Sequence, residues 1–205
     1  MSKLTRHEEI TMHSYDSSAR EWMYSHMTPK FWDDNFDYFY ELFPEGRVLE
    51  VGCGAGRDAQ ELIKHGYDYT GIDISGNLLE LAQENNPEGR FQKMSLYDMN
   101  FEQPFDGFWC AAVLIHVPKK RIAEALQAIK HSVIPKAIGF IAMKEGEGEK
   151  MEVKDYLKNL DFLFAYWQNQ EFREVLRKND FEVLRQGLIP VSEKTRWLTY
   201  HVQTR

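Results

Sequence analysis

The chain has few cysteines, no excess of basic charge and no long apolar run, and each shortage narrows what it can be. Two cysteines, Cys53 and Cys110, in 205 residues are too few for a disulfide framework. Both fall near the ends of apolar, strand-like runs and read as reduced thiols with no metal role. No stretch approaches the roughly 20 consecutive apolar residues of a membrane-spanning helix. The opening MSKLTRHEEITMHS has no apolar block of the kind that marks a secretory leader. The expected location is the cytoplasm, with no membrane partner. Against 32 acidic residues stand 25 basic ones, a net charge of −7, so the concentrated basic face that a nucleic-acid backbone demands is missing. Only residues 151–205 escape the acidic excess, which fits a small anionic substrate bound there and fits an ordinary solvated surface equally well. No internal repeat or low-complexity run is found, and the one linker-like stretch is Glu145-Gly-Glu-Gly-Glu149.

What is there suffices for a sizeable core. A chain of this length, 43% hydrophobic and 28% charged, fits a single domain over 1–205 with no second catalytic module. Its expected parts are a helical N-terminal cover at 1–44, a core at 45–150, and a C-terminal helix and hairpin at 151–205. Residues 15–43 place Trp22, Phe31, Trp32, Phe36, Phe39, Tyr40 and Phe43 largely at spacings of three and four, a helical pattern broken at Pro29 and Pro44. From Arg47 onward the period alternates between two and 3.6. Strands are predicted at 47–51, 69–73, 91–94, 107–113 and 137–143, with helices at 58–65, 77–84 and 119–132 between them. That order implies a doubly wound α/β, Rossmann-like sheet, seven-stranded and mostly parallel with helices on both faces. A helix at 171–178 and strands at 181–188 and 197–202 predict an antiparallel C-terminal hairpin at the sheet edge.

Val48-Leu-Glu-Val-Gly-Cys-Gly-Ala-Gly56 runs an apolar strand into three alternating glycines, where the missing β-carbon lets backbone approach a ligand. Asp73, 17 positions after Gly56, ends the next strand, where a carboxylate can bridge ribose hydroxyls. Together they describe a nucleoside site at the switch point of an open sheet. A dinucleotide fingerprint wants a small residue five positions after the first glycine, and here that position is Arg57. Glu50, two residues before Gly52, lies where a carboxylate can engage an ammonium group.

EVGCGAGRDAQ followed by GIDIS resembles the first two motifs of class I S-adenosylmethionine-dependent methyltransferases. Ser95-Leu-Tyr-Asp98 is similar to that family's acidic loop after the third strand. The stretch from Phe105 to Pro118 resembles its fourth strand and following loop, and Phe172 to Phe181 its late helix and strand, although Asn179-Asp180 stands for the usual Ala-Gly. The likeness covers roughly residues 46–190. It implies that Gly52, Cys53, Gly54, Gly56 and Ala111 line S-adenosylmethionine, with Glu50 ordering its amine directly or through water. It further implies Asp73 on the ribose, Ile74 and Leu96 about the adenine, Asp98 on the adenine amino group, and Tyr15 in a segment covering the cofactor. Glu50 could instead pair with Arg57, and Asp98 could simply cap a turn.

The acceptor is less defined. Cys110-Ala-Ala-Val113 replaces the Asn/Asp-Pro-Pro-aromatic run of enzymes that methylate planar nitrogens, which disfavours DNA adenine and protein glutamine. No Asp, Asn and His set has the spacing of a magnesium site, so no metal is expected. His116 is either a general base or a residue that steadies the loop before Val-Pro. Tyr15, Trp22, Trp32, Tyr166, Trp167 and Trp197 read as lid or as plain packing. Gly-Arg-Asp-Ala, Trp109, Leu-Ile-His-Val-Pro and Lys144-Glu-Gly-Glu-Gly are similar to bacterial small-molecule O-methyltransferases, including enzymes of small phosphonic acids. That likeness makes Arg57, Lys144 and Arg196 candidate anion contacts, with Arg173 more a surface ion-pair residue. A non-catalytic S-adenosylmethionine-binding protein and, less well, a nicotinamide-dependent oxidoreductase remain as alternatives.

Overall fold

The computed structural model describes residues 3–27, 31–193 and 195–205. Three helices come first: α1 (Arg6–Ser17), α2 (Ala19–His26) and α3 (Asp33–Leu42). Then follow β1 (Arg47–Val51), α4 (Arg57–His65), β2 (Asp68–Asp73), α5 (Gly76–Asn85), β3 (Arg90–Lys93), β4 (Phe105–Ala111), α6 (Ile122–His131) and β5 (Val133–Lys144). The chain ends with β6 (Glu149–Lys154), β7 (Leu160–Ala165), α7 (Asn169–Lys178), β8 (Phe181–Pro190) and β9 (Arg196–Thr204).

Seven strands form one sheet in the order β3-β2-β1-β4-β5-β9-β8. The first five are parallel, and β9 joins β5 and β8 antiparallel, the C-terminal hairpin expected from the sequence. Side chains alternate across the sheet as strand geometry requires. In β4, Phe108 and Cys110 point into one core with Leu126, Ile129, Phe172 and Leu176. Trp109 points into the other, with Phe36, Phe39, Leu62 and Phe140. Each such fully buried aromatic contributes ~1.5–3 kcal/mol relative to exposure. Two-sided burial is what a parallel sheet with crossover helices demands.

The strand and helix spans differ from the expected ones mostly by a few residues at their ends. The segment 119–132 is a 3₁₀ turn at Lys119–Arg121 followed by α6. Two differences are larger. Within the N-terminal cover the helical pattern was read only from residue 15, whereas helix begins at Arg6, because Thr5 and Glu8 close a capping box in which Glu8 Oε2 accepts the Thr5 N–H at 2.7 Å. The buried face of α1 is Glu8, Thr11 and Ser14, which has no apolar periodicity to read. The expected break at Pro29 lies outside the described residues, and Pro44 does follow the end of α3. The linker-like 145–149 leads straight into β6, which pairs with β7 as a separate two-stranded sheet that the sequence pattern does not predict.

Two histidines, His201 buried and His116 half-buried, are held as neutral rings. His201 donates Nε2–H to the Asn35 carbonyl at 3.0 Å, and His116 donates Nδ1–H to that of Leu163 at 2.6 Å. Burial holds both imidazoles down at about 4, against an ordinary value of about 6.5. Between those values the unfolded chain binds more protons than the folded one. Stability is therefore full above pH ~6.5 and falls as the solution is acidified, by up to ~1.4 kcal/mol per pH unit for each ring. Guanidinium unfolding measured from pH 7 to 5 should show this slope. His201→Gln, which keeps an N–H for Asn35, should make it shallower by about one proton, and an unchanged slope would count against the assignment.

Candidate active site

The sheet order reverses between β1 and β4, and the loops at the carboxyl ends of the strands open there. Gly52, Gly54 and Gly56 all have positive φ, at 71°, 54° and 81°. All three are also sterically constrained, a β-carbon on Gly56 lying 2.4 Å from Asn86 Nδ2. A β-carbon on Gly52 would lie 2.1 Å from Val113 Cγ2, and one on Gly54 would lie 2.9 Å from the Trp22 ring. The turn is tied to β2 twice: Gly52 and Cys53 donate to the Ile72 carbonyl at 2.7 and 3.0 Å. Gly54 N–H donates to Asp73 Oδ2 at 2.9 Å, while Ser75 N–H donates to Asp73 Oδ1 at the same distance. Burial raises the pKa of Asp73, opposed by the N–H groups of Ser75, Gly54 and Ile74.

Glu50 is buried on β1 and accepts a hydrogen bond from the Tyr69 hydroxyl. Burial and the nearby Asp58 charge lift its pKa. Its sequence alternative, a pair with Arg57, is not formed. Arg57 Nε donates instead to Asp58 at 2.6 Å, and Asp58 also accepts Trp109 Nε1–H at 3.0 Å. Ile74 follows Asp73, and Leu96 and Asp98 sit on the 3₁₀ turn after β3, whose start is capped by the Ser95 hydroxyl accepting from Tyr97 N–H at 3.3 Å. Ala111 ends β4, and Ala112 beyond it takes a left-handed φ of 62°.

The N-terminal helices close over this edge through polar contacts. Asp16 Oδ1 accepts from the Ser75 hydroxyl at 2.8 Å and from Asn77 N–H at 3.0 Å. Thr11 Oγ1 accepts Leu163 N–H at 2.8 Å, and Ser14 donates to the Asp161 carbonyl at 2.7 Å. Glu8 receives Arg121 at 2.8 Å and the Tyr97 hydroxyl, fixing α1 to the loop after β3. None of Glu8, Thr11, Ser14 or Asp16 was marked by sequence reasoning, because polar residues on a polar helix carry no periodic signal.

Tyr15 and His116 meet directly, the hydroxyl to Nε2 at 2.8 Å. Since Nδ1 keeps its proton for Leu163, the ring accepts the Tyr15 proton on Nε2. Of the three cations suggested by sequence, Arg57 and Arg196 are each ion-paired, Arg57 with Asp58 and Arg196 with Glu145 at 2.5 Å. Lys144 differs: among the described residues it makes no ion pair. Its ammonium lies over the Phe164 ring at 3.9 Å and within 5.6 Å of the Trp197 centroid. Burial, assisted by repulsion from Lys154 and opposed by Glu152, brings its pKa down to about 8. Arg173 is far along the chain on α7 and has no part in this cluster's contacts. No group of three or more His, Cys, Asp or Glu is placed to hold a metal ion among the described residues, and no helix there is long and apolar enough to cross a membrane.

Residues 48–136 match a family described as Methyltransferase domain. A protein of Staphylococcus carnosus (strain TM300) named Uncharacterized methyltransferase is 30% identical over 120 residues, 58% of this chain and 58% of that one. The Ubiquinone biosynthesis O-methyltransferase of Xanthomonas campestris pv. campestris (strain B100) is 35% identical over 81 residues, 37% of this chain and 34% of that one. The chain thus spans less than two thirds of the length of either curated relative. The crystal structure of Burkholderia thailandensis 1,6-didemethyltoxoflavin-N1-methyltransferase with bound 1,6-didemethyltoxoflavin and S-adenosylhomocysteine shares the fold. Its TM-score is 0.79 at 18% identity, over 100% of this chain and 92% of that one. The sequence match over the part that carries the glycine turn and the shared fold over the whole chain converge: residues 48–136 are a methyltransferase domain, and the chain has the fold of class I S-adenosylmethionine-dependent methyltransferases.

Proposed function

We propose that this protein transfers a methyl group from S-adenosylmethionine to a small anionic acceptor, by O-methylation. The observation that carries the cofactor reading is the Asp73 carboxylate, held by Gly54 and Ser75 N–H groups at the mouth of the glycine turn. The residues present fit the cofactor on chemical grounds. Three glycines of positive φ shape the turn at the strand ends, and two carboxyl side chains, Glu50 and Asp73, stand one on each adjacent strand. In this reading Gly52, Cys53, Gly54, Gly56 and Ala111 line the cofactor, and Glu50 orders its amine. Asp73 takes the ribose, Ile74 and Leu96 flank the adenine, Asp98 meets its amino group and Tyr15 covers it. Bound S-adenosylmethionine supplies an already electrophilic methyl group, so the protein has to align the acceptor and exclude water.

The nicotinamide alternative is disfavoured by Arg57, whose half-buried side chain is ion-paired with Asp58 at the position where a dinucleotide turn needs a small residue. Calorimetry should register binding of S-adenosylmethionine and S-adenosylhomocysteine but not of NAD. Asp73→Ala should weaken that binding by ~1.5–3 kcal/mol, the range for hydrogen bonds to a charged group. Tight NAD binding, or an indifferent Asp73→Ala, sinks the assignment. Turnover of radiolabelled donor against a metabolite pool separates an enzyme from a binding module.

Lys144 supports the anionic acceptor, because a desolvated ammonium against aromatic rings, without an ion-paired carboxylate, is an unusual arrangement unless an anion completes it. His116 as a direct base is less well supported: its Nε2 lone pair is engaged by Tyr15, and burial leaves it weakly basic. An acid oxygen is already ionised and needs no base. With an acceptor from the pool, kcat/KM should hold level from pH 5.5 to 7.5. It should fall above about 8 as Lys144 loses its proton, and Lys144→Arg should abolish that fall. His116→Ala should alter kcat little; a loss of about 10²–10⁴, the range for general-base removal, would overturn the anionic reading in favour of a hydroxyl acceptor.

A further inference from the structure

Strand β6 is built inside out. Its apolar Val153 is 54% exposed, while the side chains of Glu152 and Lys154 on the alternate face are only 18% and 21% exposed. In register with β7, Lys150, Glu152 and Lys154 oppose Phe164, Phe162 and Leu160, so charges and aromatics share one face. That face is turned towards the core: Phe162 packs edge-on against Tyr15 at 4.8 Å, and Phe164 lies 5.0 Å from the His116 ring. A strand with no ligand to serve would be more stable with Val inward and Lys outward, since partial burial of ammonium and carboxylate groups is costly.

Two ammoniums converge on Phe164, Lys144 at 3.9 Å and Lys154 at 4.6 Å from its centroid. Lys154 is paired with Glu152 at 2.7 Å, and Lys144 has no such partner among the described residues. Hydrogen bonds from Lys154, Tyr166 and Lys150 outweigh burial and pull Glu152 down to about 2, so it is ionised. The other titratable groups facing Lys144 are His116, held neutral at about 4, and His26, whose pKa burial lowers. Two ammoniums less one carboxylate leave a single positive charge, Lys150 being 65% exposed and screened by solvent. The charge of Lys144 also bears on His26, which stacks on Trp22 at 4.8 Å with planes 8° apart, and the half-exposed Tyr156 ring stands 5.8 Å from His26. The surroundings are flat rings with one unmatched cation.

We propose that the β6–β7 hairpin forms one wall of the acceptor site and that the acceptor is a planar aromatic monoanion. Its acidic group is received by Lys144 and Lys154, and its ring lies between Phe164 and the Trp22–His26–Tyr156 cluster. This rests on the reading of the strand ends as a methyl-transfer site and adds to it the substrate class and the hairpin's part in choosing it. The test uses the full chain saturated with S-adenosylhomocysteine, titrated with benzoate, benzamide and acetate by tryptophan fluorescence. Benzoate should bind at least tenfold more tightly than benzamide, which lacks the charge, and than acetate, which lacks the ring. Lys154→Met and Lys144→Met should each weaken benzoate tenfold or more with S-adenosylhomocysteine affinity unchanged, and Lys154→Arg should restore it, which separates a lost contact from a damaged fold. Equal binding of benzamide and benzoate, an indifferent Lys154→Met, or no probe binding while S-adenosylhomocysteine binds would each overturn the proposal and leave the cofactor reading standing. Failure of S-adenosylhomocysteine itself to bind would remove both.

Discussion

The Asp73 carboxylate accepts Gly54 N–H on one oxygen and Ser75 N–H on the other, and this clamp joins the turn after β1 to the end of β2. Both donors belong to turns that would otherwise leave backbone N–H groups unpaired at a partly buried edge. Ser75 in turn caps α5 by accepting Leu78 N–H at 3.2 Å, and its hydroxyl donates to Asp16 of α1. One acidic side chain thus sets the glycine turn, the start of a helix and the seat of the N-terminal cover. The rest of the ligand-facing edge is arranged about it.

The cover is held differently from the core. Beneath the sheet, aromatic and aliphatic side chains interlock: Trp109 stacks on Phe36 at 4.3 Å and on Phe140 at 4.0 Å. Above the strand ends, α1 is attached by hydrogen bonds from Glu8, Thr11, Ser14, Tyr15 and Asp16. The neutral bonds among them are worth only ~0.5–1.5 kcal/mol net and those to charged groups ~1.5–3, because water offers a substitute. Tyr15 is the exception on α1, packing edge-on against Phe162 at 4.8 Å as well as meeting His116.

The surroundings of Lys144 show the same contrast. Lys144 comes from a strand of the main sheet, Lys154 and Phe164 from the added hairpin, and Trp22 and His26 from the cover. Three separate elements therefore have to close together before the rings and the cation face one another. Burial of the cation among those rings is what lowers its pKa and makes it responsive to an anion.

How much of this could be read in advance depends on whether the signal was periodic and local. The order of strands and helices from Arg47 to Met143, the antiparallel C-terminal pair, and the glycine turn with Asp73 were legible, because strand alternation and backbone-demanding glycines leave marks within a few neighbouring residues. The β6–β7 hairpin was not, since Glu152 and Lys154 are turned inward and Val153 outward, the reverse of the usual pattern. Nor was the polar underside of α1. Glu50 and Arg57 lie seven residues apart in the sequence and suggested a pair, which only packing resolved, by giving Arg57 to Asp58 and Glu50 to Tyr69. The sequence by itself determined the fold and the place of the glycine turn, whose requirements are local. Tertiary structure alone decided which of Arg57, Lys144 and Arg196 keeps an uncommitted charge, because a cation's partner is set by residues from distant parts of the chain that meet only on folding.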